Sequence, residues 1–197
     1  LLTGVSWVVY RKEGDIVTPF GPRKVLPRDY VMGLHRAKSG RIWVGTANGL
    51  GFIEGDRVGT LDIQRYEDAE DVFGFSEDAD GTLWIATDRG VLRLRDGRLA
   101  AIGARHGLPI STVFQIVADS YGNFWLTSNR GVVYVTRADM EAVADGRMTK
   151  LKSVRFSEAD GMGIAHIGFS YLVDRPRRGD GVVGRQAREA DRRGVNP

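Results

Sequence analysis

Around three tryptophans, Trp43, Trp84 and Trp125, apolar and polar residues alternate with period two in short runs rich in Val, Ile, Phe and Trp. Alternation of that kind places one face of an extended segment against a core and the other toward water, which predicts half-buried β-strands. Around Trp84 there are four such runs, at 72–77, 82–87, 91–95 and 99–103, separated by Asp80 with Gly81, Arg89 with Gly90, and Asp96 with Gly97. Asp-Gly is a strong hairpin signal, because glycine accepts the positive φ that tight turns between twisted strands require. The pattern therefore predicts a four-stranded antiparallel meander.

The same meander recurs. SGRIWVGTANGLGFIEGDRV from Ser39, DGTLWIATDRGVLRLRDGRL from Asp80 and YGNFWLTSNRGVVYVTRADM from Tyr121 align without gaps, and their tryptophans are spaced 41 residues apart. Each copy has a turn glycine (Gly40, Gly81, Gly122), a Trp three residues later, a small hydroxyl-bearing residue (Thr46, Thr87, Ser128) and a second glycine (Gly49, Gly90, Gly131). About 40 residues for four strands is the size of a β-propeller blade. The fold class predicted is all-β: a β-propeller fragment of four-stranded antiparallel blades with a period of about 41 residues and an irregular C-terminal tail. One Trp at the same place in each copy is expected to pack between adjacent blades, since a ring of ligand-stacking aromatics would need exposure.

The ends are less regular. Residues 1–20 are expected to be the end of a truncated blade, with residues 4–17 as its last hairpin, Gly4 matching Gly49, and Gly14 with Asp15 matching Gly55 with Asp56. Residues 21–163 hold three blades and the start of a further one. In RADMEAVADGRM, apolar residues at helical spacing from Ala138, closed by Gly146, predict a peripheral helical insertion over 137–146 before the strand text LKSVRFS resumes. Residues 164–197 lose the repeat, and from Asp174 the text is dense in Arg and Gly, so an irregular or disordered tail is expected, with a shifted reading frame as a sharper alternative. A chain that opens at Leu1 directly on strand-like text is expected to be a piece of a longer one.

Bulk chemistry narrows the function classes. The net charge is +3, and much of the basic excess falls in the last two dozen residues, so the charge is no nucleic-acid footprint. With 0 cysteines, disulfides and thiolate metal sites are excluded. No stretch reaches the roughly 18 to 20 apolar residues of a membrane span, and no membrane contact is expected in this segment.

Propellers carry function in the loops around the channel mouth, so the candidates lie on the connectors between blades and on the turns within the Trp-bearing hairpins. The connectors offer Arg28, Asp29 and Tyr30, then Tyr66, Asp68, Glu70 and Asp71, then Arg105 and His106, while the hairpin turns offer Asn48, Arg89 and Arg130. Of these, Tyr30, Asn48, Tyr66, Arg89, His106 and Arg130 are the residues expected to bind ligand. No cofactor or metal site is predicted: His35, His106 and His166 lack ligand spacing, and YEDAEDV lacks the alternating-Asp grammar of a calcium loop. Nucleophile elbows and phosphate loops are missing from the text, and no catalytic residue is assigned.

GRIWVGTANGLG, GTLWIATDRGVL and GNFWLTSNRGVV resemble two-component regulator propeller repeats, and HGLPISTV at His106 and ADGMG at Ala159 resemble the connectors of that family. The resemblance implies the periplasmic sensor region of a bacterial inner-membrane receptor, ahead of an immunoglobulin-like domain, a membrane helix and a histidine kinase or diguanylate cyclase. It implies a non-catalytic segment whose partners are a small-molecule or oligosaccharide ligand and the rest of its own receptor chain, working as a homodimer. Two other readings stay open. One is a propeller lyase similar to the streptogramin-inactivating enzymes, which use His and Glu near magnesium, with His106 and Glu70 as the pair to try. The other is a protein-interaction platform.

Overall fold

In a computed structural model of the chain, residues 2–5, 8–13, 15–19 and 30–160 are described. They form four antiparallel sheets in which each strand pairs with the next in sequence. The first has three strands, β1 (Leu2–Val5), β2 (Val8–Glu13) and β3 (Ile16–Pro19). The second comprises β4 (Val31–Arg36), β5 (Ile42–Thr46), β6 (Gly49–Glu54) and β7 (Arg57–Leu61). The third comprises β8 (Val72–Glu77), β9 (Leu83–Thr87), β10 (Gly90–Arg95) and β11 (Arg98–Ile102). In the fourth, β12 (Gln115–Ala118), β13 (Phe124–Ser128) and β14 (Gly131–Val135) are followed by helix α1 (Arg137–Ala144) before β15 (Ser153–Phe156) closes the sheet. The three complete meanders are propeller blades, and the strands around Trp84 fall within a residue of the runs read from its alternation.

Consecutive blades meet along their first strands, β4 beside β8 and β8 beside β12. That approach depends on glycine. A Cβ at Gly33 would lie 2.8 Å from the Phe73 carbonyl oxygen, and one at Gly74 would lie 2.8 Å from that of Phe114. Both glycines follow a β-bulge in the inner strand, which tightens the local twist and turns each blade relative to its neighbour.

The cores lie between blades. Trp43 is buried on the third sheet with Leu83, Ile85 and Leu92, and Trp84 is fully buried on the fourth with Phe124 and Leu126. The Trp84 and Phe124 ring centroids are 4.9 Å apart. The repeated Trp is thus inter-blade packing at these two positions. Trp125 is half-buried and stacks on Phe156 of its own sheet, with centroids 5.7 Å apart.

The helical insertion starts where it was expected. The Thr136 hydroxyl caps it by accepting the Asp139 N–H at 3.1 Å, satisfying one of the otherwise orphaned donors of the first turn. It runs along the outer strand β11 of the neighbouring blade, yet it is more than a peripheral appendage, because Met140 is fully buried in the core between the third and fourth sheets.

At the N-terminal end the expected hairpin is β2 with β3, and β1 adds a third strand. Gly4 sits inside β1 opposite Val9, and Val8, 41 residues before Gly49, occupies the matching position at the head of a strand. The readings of 164–197, of the further unit beyond Asp160, and of Arg28, Asp29 and His166 lie outside the described residues. Among the described residues no helix is long and apolar enough to cross a membrane.

Candidate functional site

The repeated hydroxyl explains how the hairpin turns are built. Thr46, Thr87 and Ser128 each donate to the carbonyl of the second glycine, at 3.1, 3.1 and 2.9 Å. Each also accepts the N–H of the residue two positions on, namely Asn48, Arg89 and Arg130, at 3.2, 3.1 and 3.0 Å. A buried hydroxyl thereby latches the turn from both sides and leaves three exposed side chains, one per blade, in equivalent positions.

The connectors join the same end of the blades. Tyr30, 62% exposed, accepts the Ala47 N–H through its carbonyl at 3.2 Å, which sets it beside the Asn48 turn. The Asp88 carboxylate accepts the N–H groups of Glu70 and Asp71 at 3.0 and 3.2 Å, and its own N–H donates to the Asp71 carbonyl at 3.3 Å. Arg89 stays with Asp88, its Nε lying 3.3 Å from the carboxylate. Tyr66 is half-buried against the core between the second and third sheets, and carries the Arg65 guanidinium 5.3 Å from its ring centroid. Burial and the carboxylates of Asp88 and Glu70 hold the Asp71 carboxyl above its usual range.

Around His106 the connectors converge. Glu67 and Asp68 both take left-handed backbone conformations, with φ of 61° and 56°, and this swings the Glu67 side chain toward the next connector. Its Oε1 lies 2.6 Å from Arg105 Nε and 3.9 Å from His106 Nδ1. His106 Nδ1 accepts the Gly103 N–H at 3.2 Å, so the neutral ring carries its proton on Nε2. Burial, and then the Arg105 and Lys150 cations, push the His106 pKa below its ordinary value against the pull of Glu67.

The structure thus gathers Asp68, Glu70, Asp71, Arg89, Arg105 and His106 around one inter-blade junction and sets Tyr30 with Asn48 at the junction before it. Arg130 occupies the equivalent turn of the fourth sheet. The pairing of His106 with Glu70 is not the one formed; Glu67, which the sequence did not single out, takes that place. The signal for it is a tight turn with two consecutive positive φ values, and Glu-Asp carries no such signature. Among the described residues no group of three His, Asp or Glu side chains is arranged to hold a metal ion.

A depressed histidine pKa has a sign. Because the folded protein prefers neutral His106, its contribution to stability is complete above the unfolded-state pKa of about 6.5 and is lost as pH falls through the lower folded-state value. Unfolding free energy measured from pH 8 to pH 5 is expected to fall less in His106→Gln than in the wild type. Coincident curves would contradict the assignment.

A family model described as the two component regulator propeller matches residues 67–89, from the Glu67 turn through the first two strands of the third sheet to Arg89. No curated protein sequence matches the chain. Among solved structures, the extracellular domain of a hybrid two component system from B. thetaiotaomicron is similar over 79% of this chain and 21% of that one, at 16% identity and a TM-score of 0.60. PorZ, a surface component of the type-IX secretion system of Porphyromonas gingivalis, is similar over 78% of this chain and 25% of that one, at 14% identity and a TM-score of 0.59. Virginiamycin B lyase from Staphylococcus aureus is similar over 77% of this chain and 49% of that one, at 18% identity and a TM-score of 0.54. The chain therefore spans less than two thirds of each of these proteins, and at such identities the likeness is one of fold: all share the propeller.

Proposed function

We propose that this chain is the ligand-reading propeller of a bacterial extracytoplasmic sensor, which binds a small extracellular saccharide at its connector end and relays occupancy to a kinase or cyclase module of the same receptor. The observation that carries the reading is the two component regulator propeller match, because the matched residues 67–89 coincide with the junction where Asp88, Arg89 and the Glu67 turn meet. The extracellular origin of the B. thetaiotaomicron neighbour supports a position outside the cytoplasm. The chemistry suits a polyol. Exposed Asn48, Arg89 and Arg130 supply amide and guanidinium donors on rigid turns, and the exposed Tyr30 ring offers an apolar face to sugar C–H groups.

Calorimetric titration of the chain with an oligosaccharide library tests this. Arg89→Ala and Asn48→Ala are expected to weaken binding about tenfold each, roughly 1.4 kcal/mol, with unfolding unchanged. Absence of saccharide binding, or affinities indifferent to both substitutions, would refute it.

A second reading, a propeller lyase, draws support from the fold shared with virginiamycin B lyase and from Glu67 and His106 meeting at the connector end. It requires turnover of a streptogramin by the chain, abolished in His106→Ala. No turnover removes it.

A further inference from the structure

The end of the blades opposite the connectors holds a cleft of about 360 Å³ between the second and third sheets, at the small end of the roughly 300 to 1,000 Å³ typical of small-molecule sites. One blade further on, the equivalent position is filled from within the chain. There Arg137 pairs with the Asp78 carboxylate, donates from Nε to the Gly122 carbonyl at 2.7 Å and lies 4.4 Å from the Phe124 ring centroid. Asp78 also accepts the Trp84 indole N–H at 2.8 Å.

Stepping back 41 residues replaces each of these parts. Trp43 stands for Trp84, Leu83 for Phe124, Gly81 for Gly122, Ala37 for Asp78 and Asp96 for Arg137. The plug is gone, and so is the acceptor of the indole N–H. Trp43, 4% exposed, lines the open cleft with Ala37, Leu83 and Leu94.

Most of the charges around that apolar floor are answered internally. Arg41 is held by Glu54 at 3.0 Å, Asp80 is 3.3 Å from Arg95, and Glu77 receives the Lys38 N–H and faces His35 Nε2 at 3.1 Å. Two charges are left, Lys38 on the turn after β4 and Asp96 on the turn after β10. Among the described residues the Lys38 ammonium meets only a carbonyl, that of Asp78 at 2.9 Å, and the exposed Asp96 carboxylate has no ion-pair partner.

We propose that this inter-blade cleft binds a free aliphatic α-amino acid. Its carboxylate lies toward Lys38 and the Trp43 N–H, its ammonium toward Asp96, and its side chain on Ala37, Leu83 and Leu94. The site is independent of the connector end, and Arg89→Ala leaves it unaffected.

Calorimetric titration of the chain with L-leucine tests the assignment. Saturable binding is expected, weakened about tenfold or more in 4-methylpentanoate, which lacks the ammonium, and in 3-methylbutylamine, which lacks the carboxylate. Lys38→Met weakens leucine but leaves 3-methylbutylamine unchanged, and Asp96→Asn weakens leucine but leaves 4-methylpentanoate unchanged. Both side chains are exposed and Asn tolerates the φ of +50° at position 96, so both variants keep the wild-type unfolding free energy. The proposal is overturned if the folded chain does not bind leucine, if either variant binds it as tightly as the wild type, or if a neutral methyl glucoside competes equally.

Discussion

Glu141→Ala is expected to lower the unfolding free energy by about 3 kcal/mol, because it takes from buried guanidinium charge one of its two carboxylate partners. Arg93 is only 8% exposed, with Nη1 2.5 Å from Glu141 Oε2 and Nη2 2.7 Å from Asp145 Oδ1. Arg95 reaches the same carboxylate at 2.8 Å. Burial works against the charge on Arg93, but its hydrogen bonds to Asp145 and Glu141 more than offset this and hold its pKa above the ordinary value. These contacts join β10 of the third sheet to α1 of the fourth, so the substitution weakens an inter-blade joint and not merely a helix. Alanine is the best helix former, which removes lost propensity as an explanation. Asp145 remains to answer part of the charge, and the cost therefore sits at the lower end of the roughly 3 to 5 kcal/mol seen for broken buried pairs. In a chain of this length it corresponds to a fall of about 6 to 12 °C in Tm. Arg93→Met with Glu141→Met together is expected to cost less than Glu141→Ala alone. A loss under about 1 kcal/mol, or a double variant worse than the single, would contradict the joint.

What could be read from the sequence was whatever repeats. Alternation and turn glycines locate the strands of the third sheet, and the hydroxyl at Thr46, Thr87 and Ser128 is legible as a repeat although its role as a latch is not. The interactions that tell blades apart were not visible, because they break the period. The three tryptophans show it. Trp84 Nε1 finds Asp78; Trp43 has Ala37 in that place; and Trp125 has Asp119, whose carboxylate instead takes the N–H groups of Tyr121 and Asn123, leaving the buried Trp125 N–H without a partner among the described residues. Identical motif positions thus reach three outcomes through neighbours that the motif does not specify. Arg137 reaching Asp78 spans 59 residues, and no local pattern encodes such a pair. The Glu67 approach to His106 was hidden for a different reason, since it depends on a left-handed backbone that Glu seldom adopts.

The second repeated glycine is where sequence pattern and geometry constrain each other most closely, and Gly90→Ala is expected to cost about 4 kcal/mol. Gly90 has φ of +121°, and its counterparts Gly49 and Gly131 have +128° and +111°, a region that side-chain-bearing residues pay roughly 1 to 3 kcal/mol to enter. Space is a second barrier. A Cβ at Gly90 would fall 2.3 Å from the Ile102 carbonyl oxygen, and one at Gly131 would fall 2.1 Å from that of Phe156. A backbone atom of the outer strand cannot rotate away as a side chain can, so β11 must shift and strain of roughly 1 to 3 kcal/mol is added. Gly97 separates the two causes. It also has positive φ, +74°, in the turn between β10 and β11, but nothing lies within 4 Å of its Cβ position. Gly97→Ala should therefore cost only about 1 kcal/mol, the backbone part alone. Denaturant unfolding of the two variants measures the difference. Equal losses would mean that the glycine repeats for its backbone freedom only, whereas a Gly90 loss several times larger would show that the outer strand closing directly over the turn, as at Arg89 and Arg130, is a second reason for it.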